Sequence, residues 1–241
     1  MIYHEVKVIE NKELAKDLFR LRFDYKMRGI QGPGQFAFIM IQGRGERAFS
    51  IFGNDPLAFL IANKGECTNA LSKLQPGDSV LVRGPHGQVP QVSGKLLLVG
   101  GGTGVAGVYP FASFYRGVTC ALLGAEDRAH LYDEPFHAHC GCVYPFTKSG
   151  EGYTSPGLVT SQMEEILSEV EPDFCLNCGP EPMIHECIRI QRGFGIPEMQ
   201  ILCSPEFHAA CGVGICGKCA TPKGLRSCVD GTWFTPMQLG L

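Results

Sequence analysis

Four cysteines stand close together near one end of the chain, and they constrain its folding more than any other feature. They are Cys211, Cys216, Cys219 and Cys228, in a segment from residue 204 onward that is rich in glycine and has little apolar periodicity. So short and loop-rich a segment is poorly ordered by hydrophobic burial alone. We therefore expect a bound metal centre to order it, with the chain wrapped closely around the thiolates.

The spacing of the four cysteines, C-x4-C-x2-C-x8-C, indicates which centre they bind. Its first three positions have the spacing of plant-type ferredoxins, which predicts a [2Fe–2S] cluster with all four cysteines as ligands. Gly212, Gly214 and Gly217 permit sharp turns that aim backbone N–H groups at the sulfurs. A structural zinc ion is the alternative, although zinc sites usually combine one C-x2-C pair with a second close pair.

The chain contains twelve cysteines in 241 residues, and the other eight are scattered among apolar neighbours. We interpret most of them as small buried residues, because a reducing compartment disfavours disulfides. Residues 137–142 include two histidines and two cysteines, and we interpret them as leading into a strand, with a second metal site as the alternative. Cys175 and Cys178 form a C-x2-C pair, but a redox pair usually opens a helix, whereas this one ends a predicted strand. The eight are Cys67, Cys120, Cys140, Cys142, Cys175, Cys178, Cys187 and Cys203.

Composition is typical of a folded globular protein and argues against several functions. Apolar residues make up 44% of the sequence, and the formal net charge is −3 without a block of lysine or arginine. A nucleic-acid-binding surface is therefore not expected. The most apolar stretch, residues 95–109, is short and rich in glycine, so we expect no membrane span. The first residues do not resemble a targeting signal, and we expect a cytoplasmic protein.

Residues 1–93 are predicted to form an antiparallel β-barrel. Short runs of alternating polar and apolar residues are separated there by Gly, Pro, Asn and Asp, as in folds built from several short paired strands. The expected strands cover residues 3–9, 18–23, 36–41 and 79–83, and a helix is expected at 68–74.

Residues 94–203 are predicted to form a doubly wound α/β domain. A continuous apolar run at 96–99 is typical of a strand that is buried on both faces of a parallel sheet, and helices alternate with strands after it. The expected strands cover residues 96–99, 118–123 and 173–178, and the expected helices cover 105–115, 161–170 with Ser161 as N-cap, and 183–192. Residues 204–241 would form a small third domain around the cysteines.

Two motifs indicate nucleotide binding. A glycine-rich turn lies between the strand 96–99 and the helix 105–115, where glycines permit close approach to a pyrophosphate and the helix N-terminus favours negative charge. The turn consists of Gly100, Gly101, Gly102, Thr103 and Gly104. At the end of a barrel strand, Arg47 and Ser50 can present a guanidinium group and a hydroxyl to one phosphate group. The alternative for this second motif is a surface arginine beside a strand serine.

The order of these motifs resembles the ferredoxin–NADP reductase superfamily, in which a β-barrel binds flavin and an α/β domain binds a nicotinamide nucleotide. With the C-terminal cysteines included, essentially the whole chain resembles the electron-transfer subunits of type B dihydroorotate dehydrogenases. The ending Cys228-x-Asp230-Gly231-x-x-Phe234 favours this family. Diaphorase subunits of sulfhydrogenases, of sulfite reductases and of NADH-dependent ferredoxin:NADP reductases are the alternatives.

This resemblance implies a set of flavin-binding residues. The run from Arg47 to Ser50 resembles the flavin signature R-P-x-S, and the run from Gly65 to Leu71 resembles G-x-G-T-x-x-L. The implied FAD contacts are Arg47, Ala48, Phe49, Ser50, Leu60, Gly65, Cys67 and Thr68. Two positions depart from the family pattern, because Ala48 replaces a proline and Cys67 replaces a glycine at a tight turn.

The resemblance also implies nicotinamide-binding residues. The glycine-rich turn, and the run Cys178-Gly-Pro with Met183, resemble the two nicotinamide motifs of the family. The implied NAD contacts are Gly100, Gly101, Gly102, Thr103, Gly104, Cys178, Gly179, Pro180 and Met183. Gly107 stands where the family commonly has proline. Glu126, after the second predicted strand, would favour NAD+ over NADP+ by accepting hydrogen bonds from ribose hydroxyls.

The activity that the resemblance implies needs no catalytic residue of this chain, because the cofactors perform the chemistry. Dihydroorotate would be oxidised at the FMN of a separate catalytic subunit, and electrons would pass through the [2Fe–2S] cluster and FAD to NAD+, in pyrimidine (UMP) biosynthesis. We expect a heterotetramer with two copies of each subunit, and no dihydroorotate oxidation by this chain alone. A zinc-stapled binding module without enzymatic activity is the alternative from another class.

Overall fold

The computed structural model describes residues 2–115 and 119–241. Its first six strands are β1 (His4–Ala15), β2 (Leu18–Phe23), β3 (Phe36–Ile41), β4 (Gly45–Asn54), β5 (Leu57–Ala62) and β6 (Ser79–His86). They form a closed antiparallel barrel in the order β1-β2-β5-β4-β3-β6, and helix α1 (Glu66–Leu71) connects β5 to β6. The predicted antiparallel barrel is confirmed.

The barrel closes around one apolar core because alternate residues of its strands point inward. Phe19, Leu21 and Phe23 of β2 are buried together in this core. Leu18 and Leu60 are also buried, but in a separate apolar cluster that includes residues of the α/β part of the chain. The barrel is therefore apolar on part of its outside as well, where the second part of the molecule packs.

The second part contains the strands β7 (Leu96–Gly101), β8 (Thr119–Ala125), β9 (Cys142–Thr147), β10 (Ser155–Pro156), β11 (Phe174–Cys178) and β12 (Ile201–Ser204). All neighbouring strands are parallel, in the order β10-β9-β8-β7-β11-β12. The helices are α2 (Val105–Phe114), α3 (Met163–Val170) and α4 (Glu181–Phe194). The predicted parallel α/β arrangement is confirmed.

Strand β7 is buried on both faces, as its apolar run predicts. Leu96 and Leu98 share a core with residues of α2 and of the barrel, whereas Leu97 and Val99 share one with α3 and α4. Helices therefore cover both faces of the sheet. Phe52 of β4 stacks on Tyr109 of α2 with ring centroids 4.3 Å apart, so the barrel is packed directly against the α/β part.

The segment from residue 205 onward reaches back to both preceding parts. Its helix α5 (Pro236–Leu239) is short, and the backbones of Phe234 and Cys203 pair across a β-bridge beside β12. On the barrel side, the Cys228 carbonyl accepts a hydrogen bond from the Gly87 N–H at 3.0 Å. The Thr232 hydroxyl donates to the carbonyl of Gly34. The segment is thus tied to the sheet and to the barrel at once.

Several elements differ from their predicted bounds. Strand β1 is longer than predicted because residues 4–7 pair with β6 and residues 8–15 pair with β2. Strand β4 runs through Arg47 and Ser50, which therefore do not mark a strand end. Helix α3 begins at Met163 with Gln162 as N-cap, so the prediction of Ser161 as cap was wrong. The Ser161 hydroxyl instead accepts a hydrogen bond from the Leu158 N–H at 3.0 Å.

Helix α1 also differs, since it begins two residues before the predicted start and ends at Leu71. The predicted strand 118–123 is found from Thr119 onward, while residue 118 lies outside the described residues.

Within the described ranges, no helix is both long enough and apolar enough to cross a membrane.

Cys120 and Cys142 form a disulfide, which corrects the interpretation of both as isolated buried residues. They are direct neighbours in the parallel register of β8 and β9, with Cα atoms 4.8 Å apart. This register brings the two sulfurs together because both side chains point to the same face of the sheet. The disulfide joins the two strands in the half of the sheet that lies away from β12.

Candidate functional site

A cleft of about 760 Å³ lies between the barrel, the carboxyl end of the parallel sheet and the C-terminal segment. The barrel side of the cleft includes five of the predicted FAD contacts, which are Ala48, Phe49, Ser50, Leu60 and Thr68. The sheet side includes seven of the predicted NAD contacts, which are Gly101, Gly102, Thr103, Gly104, Cys178, Gly179 and Pro180. Two groups of residues from separate parts of the sequence thus face one cavity.

The sheet side of the cleft lies where the strand order reverses. From β7 the chain crosses first to β8 on one side and later to β11 on the other. In open α/β sheets, ligands bind in the crevice outside the carboxyl ends of the strands at such a switch point. The turns that follow β7 and β11 border the cleft, and α2 and α4 begin beside it. Both helix N-termini can therefore stabilise an anion there.

Gly104 allows these two turns to touch. A Cβ atom at residue 104 would stand 1.9 Å from the carbonyl oxygen of Cys178, far inside van der Waals contact. Any side chain at this position would push the start of α2 away from the end of β11. The glycine is therefore required for the shape of the cleft floor.

Met183 packs against the turn after β7 and the turn after β11, although it does not line the cleft. A Cβ on Gly101 would stand 2.3 Å from the Met183 sulfur, and one on Gly179 would stand 2.6 Å from its methyl carbon. Met183 is thus packed under both glycine turns. Gly107 has a similar role beside Cys178, because a Cβ there would stand 2.7 Å from the Cys178 sulfur. Burial raises the pKa of that thiol to about 12, so it stays protonated at neutral pH.

The remaining predicted residues lie near the cleft without lining it. Arg47 is exposed, and its guanidinium group donates to the Glu46 carbonyl at 2.8 Å. Gly65 is the N-cap of α1. Cys67 lies in α1 with its side chain in the barrel core, and burial raises its pKa. Because a helical residue needs no positive φ, cysteine is tolerated at this departure from the family pattern. Gly100 is buried between α2 and β8, close to Val108 and Leu123.

Several residues of the cleft were not predicted from the sequence. They include Phe36, Lys64, Gly107, Phe207, His208, Ser227 and Thr232. The Lys64 ammonium lies 3.4 Å from the Glu206 carboxylate, and this exposed ion pair joins the barrel to the C-terminal segment. Glu126, predicted to favour NAD+, is exposed and pairs with Lys148 at 2.7 Å. The approach of residue 206 to the barrel has no local sequence signal, because the two partners are 142 residues apart.

The four C-terminal cysteines form two pairs. The sulfurs of Cys219 and Cys228 are 3.5 Å apart, and Cys216 lies beside Cys211, because its N–H donates to the Cys211 sulfur. Backbone N–H groups point at the sulfurs, from Val213 and Cys216 to Cys211 at 3.5 Å each. The glycines predicted to allow these turns, Gly212, Gly214 and Gly217, all have φ between 70° and 76°.

The hydrogen bonds to the sulfurs change the acidity of the thiols. Backbone donation from Cys216 and Val213 lowers the pKa of Cys211 to about 6, because it stabilises the thiolate. Burial raises the pKa of Cys228 to about 11, together with its hydrogen bond to Cys219. Since metals bind thiolates, the exposed end of this segment already favours the ligand form.

The cysteine segment also borders the cleft. Cys219 and Cys228 are buried in one apolar cluster with Phe36 and Phe38 of β3, and Ala48 of β4 packs against it. Phe36 and Ala48 both line the cleft. Phe36 therefore belongs both to the cleft lining and to the apolar cluster that contains the two buried cysteines.

The second group of histidines and cysteines is engaged in other contacts. His137 lies 3.5 Å from Asp133, the Thr119 hydroxyl donates to the Cys140 sulfur at 3.4 Å, and Cys142 is in the disulfide. Residues 134–138 form a 3₁₀ helix, and the predicted strand begins only at Cys142. Among the described residues, no group of three or more His, Cys, Asp or Glu side chains is placed to share a single metal ion.

Comparison with solved structures supports the fold. A chain from the structure of an NADH-dependent reduced ferredoxin–NADP oxidoreductase superposes with a TM-score of 0.82 at 25% identity, over 97% of this chain and 88% of that one. The ferredoxin–NADP+ reductase of Plasmodium falciparum superposes with a TM-score of 0.67 at 13% identity, over 84% of this chain and 95% of that one. The barrel and the parallel sheet therefore have the ferredoxin–NADP reductase fold.

Curated relatives extend over almost the entire chain, whereas no family model matches it. The protein named "probable dihydroorotate dehydrogenase B (NAD(+)), electron transfer subunit" from Methanopyrus kandleri is 34% identical over 97% of this chain and 90% of its own length. The dihydroorotate dehydrogenase B (NAD(+)) electron transfer subunit of Caldanaerobacter subterraneus is 32% identical over 95% of each chain. Identity at this level over nearly full length shows that the chain belongs to the family of dihydroorotate dehydrogenase B electron transfer subunits, which are oxidoreductase subunits.

Proposed function

We propose that this chain carries electrons from dihydroorotate oxidation on a partner subunit, through a [2Fe–2S] cluster and FAD, to NAD+. The observation that carries the proposal is the apolar cluster that Cys219 and Cys228 share with Phe36, because Phe36 also lines the cleft. A centre held by these cysteines and a flavin held in the cleft would therefore both lie beside this cluster. Such closeness is what electron transfer between two bound groups requires.

The barrel side of the cleft supports the FAD assignment. Ala48, Phe49, Ser50 and Leu60 of β4 and β5 supply an apolar surface with one hydroxyl, as a large aromatic ring system with polar edges needs. Thr68 orders the adjacent turn, because its hydroxyl accepts from the N–H groups of Lys64 and Gly65 at 2.9 and 3.0 Å. Arg47 is exposed beside this surface and would reach the diphosphate of FAD. The side chain of Cys67 is in the barrel core, so only its backbone would contact FAD.

The sheet side supports the NAD assignment. The turns at Gly102 and Gly179 bring backbone against the cleft, beside the N-termini of α2 and α4. This arrangement suits a pyrophosphate. Gly102 has nothing within 4 Å of a Cβ position, so space remains for a ligand beside it. Gly100 and Met183 would support this half of the site without lining it, and Cys178 would border it.

The C-terminal cysteines fit a [2Fe–2S] cluster. In such a cluster four thiolates serve two irons, and the two observed pairs, Cys211 with Cys216 and Cys219 with Cys228, match that division. Backbone N–H groups from Val213, Gly214 and Cys216 already point at the sulfurs. When bound, the cluster would pass single electrons and FAD would exchange two of them with NAD+ as hydride.

The proposed division of the chain follows from these assignments. Residues 1–93 would bind FAD, residues 94–203 would bind NAD, and residues 204–241 would bind the cluster. The partner would be a dihydroorotate dehydrogenase catalytic subunit that carries FMN, with two copies of each chain in the complex, in the cytoplasm and in pyrimidine biosynthesis. This chain would place the groups, and none of its side chains would act as an acid, base or nucleophile.

The test is reconstitution with that partner. We expect the complex to form NADH from dihydroorotate and NAD+, and the isolated chain to reduce dyes with NADH but not to oxidise dihydroorotate. The variant Cys216→Ser should keep the dye activity and lose dihydroorotate-dependent NADH formation in the complex. Cys140→Ala, outside the cluster segment, serves as control. A wild-type complex without dihydroorotate-dependent activity would contradict the proposal.

A second candidate is a diaphorase subunit of a ferredoxin:NADP reductase, favoured by the TM-score of 0.82 noted above. Its electron partner would be a ferredoxin instead of dihydroorotate. Assaying both donors with the native complex distinguishes the two functions. A colourless zinc protein, free of flavin and iron absorbance, would exclude both and leave the zinc-stapled module.

A further inference from the structure

Arg83 is a charged side chain that the fold buries completely, with 1% of its surface exposed. It lies on β6, and its guanidinium group makes a two-pronged ion pair with the Glu46 carboxylate, at 2.9 Å from Nε and 2.5 Å from Nη2. The same group lies over the ring of Phe38, 3.6 Å from its centroid. Burying a charge is costly unless it is paired, so this arrangement needs an explanation.

The remaining donors of Arg83 explain where it points. Nη2 donates to the carbonyl of Ala210 at 2.8 Å, and Nη1 donates to the carbonyl of Cys211 at 3.1 Å. A Cβ on Gly212 would stand 2.6 Å from Nη1. The guanidinium group therefore lies directly beneath the chain at the first cysteine of the proposed cluster, which is 128 residues away in sequence.

Glu46 is the matching negative charge on the far side of the guanidinium group. Burial raises its pKa, but hydrogen bonds from Arg83 and from the Tyr3 hydroxyl outweigh that effect and hold the pKa below its usual value. His86 is a further neighbour, with Nε2 3.4 Å from Nη1 of Arg83. Burial lowers the pKa of His86, so its ring is neutral at neutral pH. The charges next to the first cysteine are thus one buried cation backed by one anion.

A second arginine provides a comparison at the same loop. Arg226 donates from Nη1 to the carbonyl of Gly214 at 2.9 Å and pairs with Asp230 at 3.3 Å. Its side chain is 42% exposed, whereas that of Arg83 is 2% exposed. Because water and salt screen exposed charges, Arg226 should influence the loop electrostatically far less than Arg83 does.

We propose that Arg83 and Glu46 set the reduction potential of the metal centre held by the C-terminal cysteines. The inference rests on the proposed function, since it requires the cluster. Reduction adds one electron to the centre and makes and breaks no bond, so a buried cation beside it favours the reduced form and a partly buried anion favours the oxidised form. Arg83 is thus a positioning residue that also tunes the centre, and Glu46 limits its effect.

The test is a potentiometric titration of the whole protein with bound cofactors, followed by the electron paramagnetic resonance signal of the reduced cluster. R83Q should lower the midpoint potential and E46Q should raise it, each by about a tenfold change in the reduced-to-oxidised ratio, or about 59 mV for one electron. R226Q should shift it less than R83Q. R20Q, which breaks an ion pair with Glu10 elsewhere on the barrel, should leave it unchanged.

Opposite shifts in midpoint potential distinguish electrostatic tuning from a purely structural role. If the substitutions only loosened the loop, the midpoint potentials of both variants would shift in the same direction. Shifts of R83Q and E46Q in one direction, or no shift in either, would overturn the inference. If R83Q does not retain the cluster, E46Q decides alone, since it keeps Arg83 and must raise the potential. A wild-type protein without a cluster signal would instead overturn the proposed function, and the inference with it.

Discussion

At the scale of single residues, Gly104 has the closest approach in the candidate site. Its Cα faces the Cys178 carbonyl so closely that no side chain fits. The shape of the cleft floor, where α2 begins and β11 ends, therefore depends on the absence of a Cβ atom at residue 104. Gly193, in the last turn of α4, has nothing within 4 Å of a Cβ position and provides a matched comparison.

We expect Gly104→Ala to lower the free energy of unfolding by about 1–3 kcal/mol, the usual range for overpacking, and to raise the KM for NADH. Urea denaturation and NADH-dependent dye reduction measure the two effects. Gly193→Ala should be neutral or stabilising by about 0.5–1 kcal/mol, because alanine favours a helix. Equal stability of the two variants would show that the two turns are not held in contact.

The predicted binding residues that line the cleft belong to short motifs of adjacent residues. The glycine turn after β7 and the four cysteines are recognisable because turn geometry and ligand spacing depend on adjacent positions. Arg83, Phe36 and Lys64 were not predicted for the site, since their partners are distant in sequence. Their roles depend on which strand of the barrel the C-terminal segment packs against, and no short motif records that choice.

At the scale of helices and strands, local patterns could again be predicted, whereas features that depend on distant contacts could not. Strands β2 and β3 were predicted with their observed bounds, because their alternation is visible within six residues. The lengths of β1 and β4 were not, since pairing with two different neighbours determines them. The disulfide was missed for a related reason. Cys120 and Cys142 meet only through the register of β8 and β9, and a sequence gives no register for a parallel pair.

The disulfide closes a loop between cysteines that are 22 positions apart. The chain-entropy estimate for a loop of this length is about 3 kcal/mol of stabilisation. We therefore expect the double variant Cys120→Ala/Cys142→Ala to lose about that much free energy of unfolding under non-reducing conditions. Adding a reductant should bring the free energy of unfolding of the wild-type protein close to that of the double variant. Identical stabilities without reductant would show that the bridge does not form in solution.

At the scale of the whole molecule, Trp233 lies where the three parts of the chain meet. Trp233 is buried, and its ring packs edge to face on the ring of Phe111 of α2, with centroids 5.1 Å apart. On the barrel side, a Cβ on Gly34 would stand 2.8 Å from the Trp233 ring. Trp233 itself belongs to the C-terminal segment. One side chain therefore joins the barrel, the α/β part and the cysteine segment.

We expect Trp233→Ala to lower the free energy of unfolding by about 3–5 kcal/mol, the range for removing a large buried aromatic ring. The loss should appear as one cooperative transition in far-ultraviolet circular dichroism, shifted to lower urea. Met237→Ala, at an exposed position of the same segment, should change stability by no more than about 0.5 kcal/mol. If both variants unfolded alike, the three parts would not depend on Trp233.

The contacts that seat the C-terminal segment have a consequence for biosynthesis. Thr232 bonds to Gly34, a contact 198 residues apart, and Cys211 is held by Arg83. A ribosome makes the barrel before the cysteine segment, so we expect the barrel to fold with its binding surface for that segment still empty. Since that segment rests on residues made much earlier, we expect the proposed cluster to be inserted only after both the barrel and the cysteine segment have been synthesised. Cells short of iron would then accumulate a chain whose barrel is folded and whose C-terminal segment is exposed to proteases.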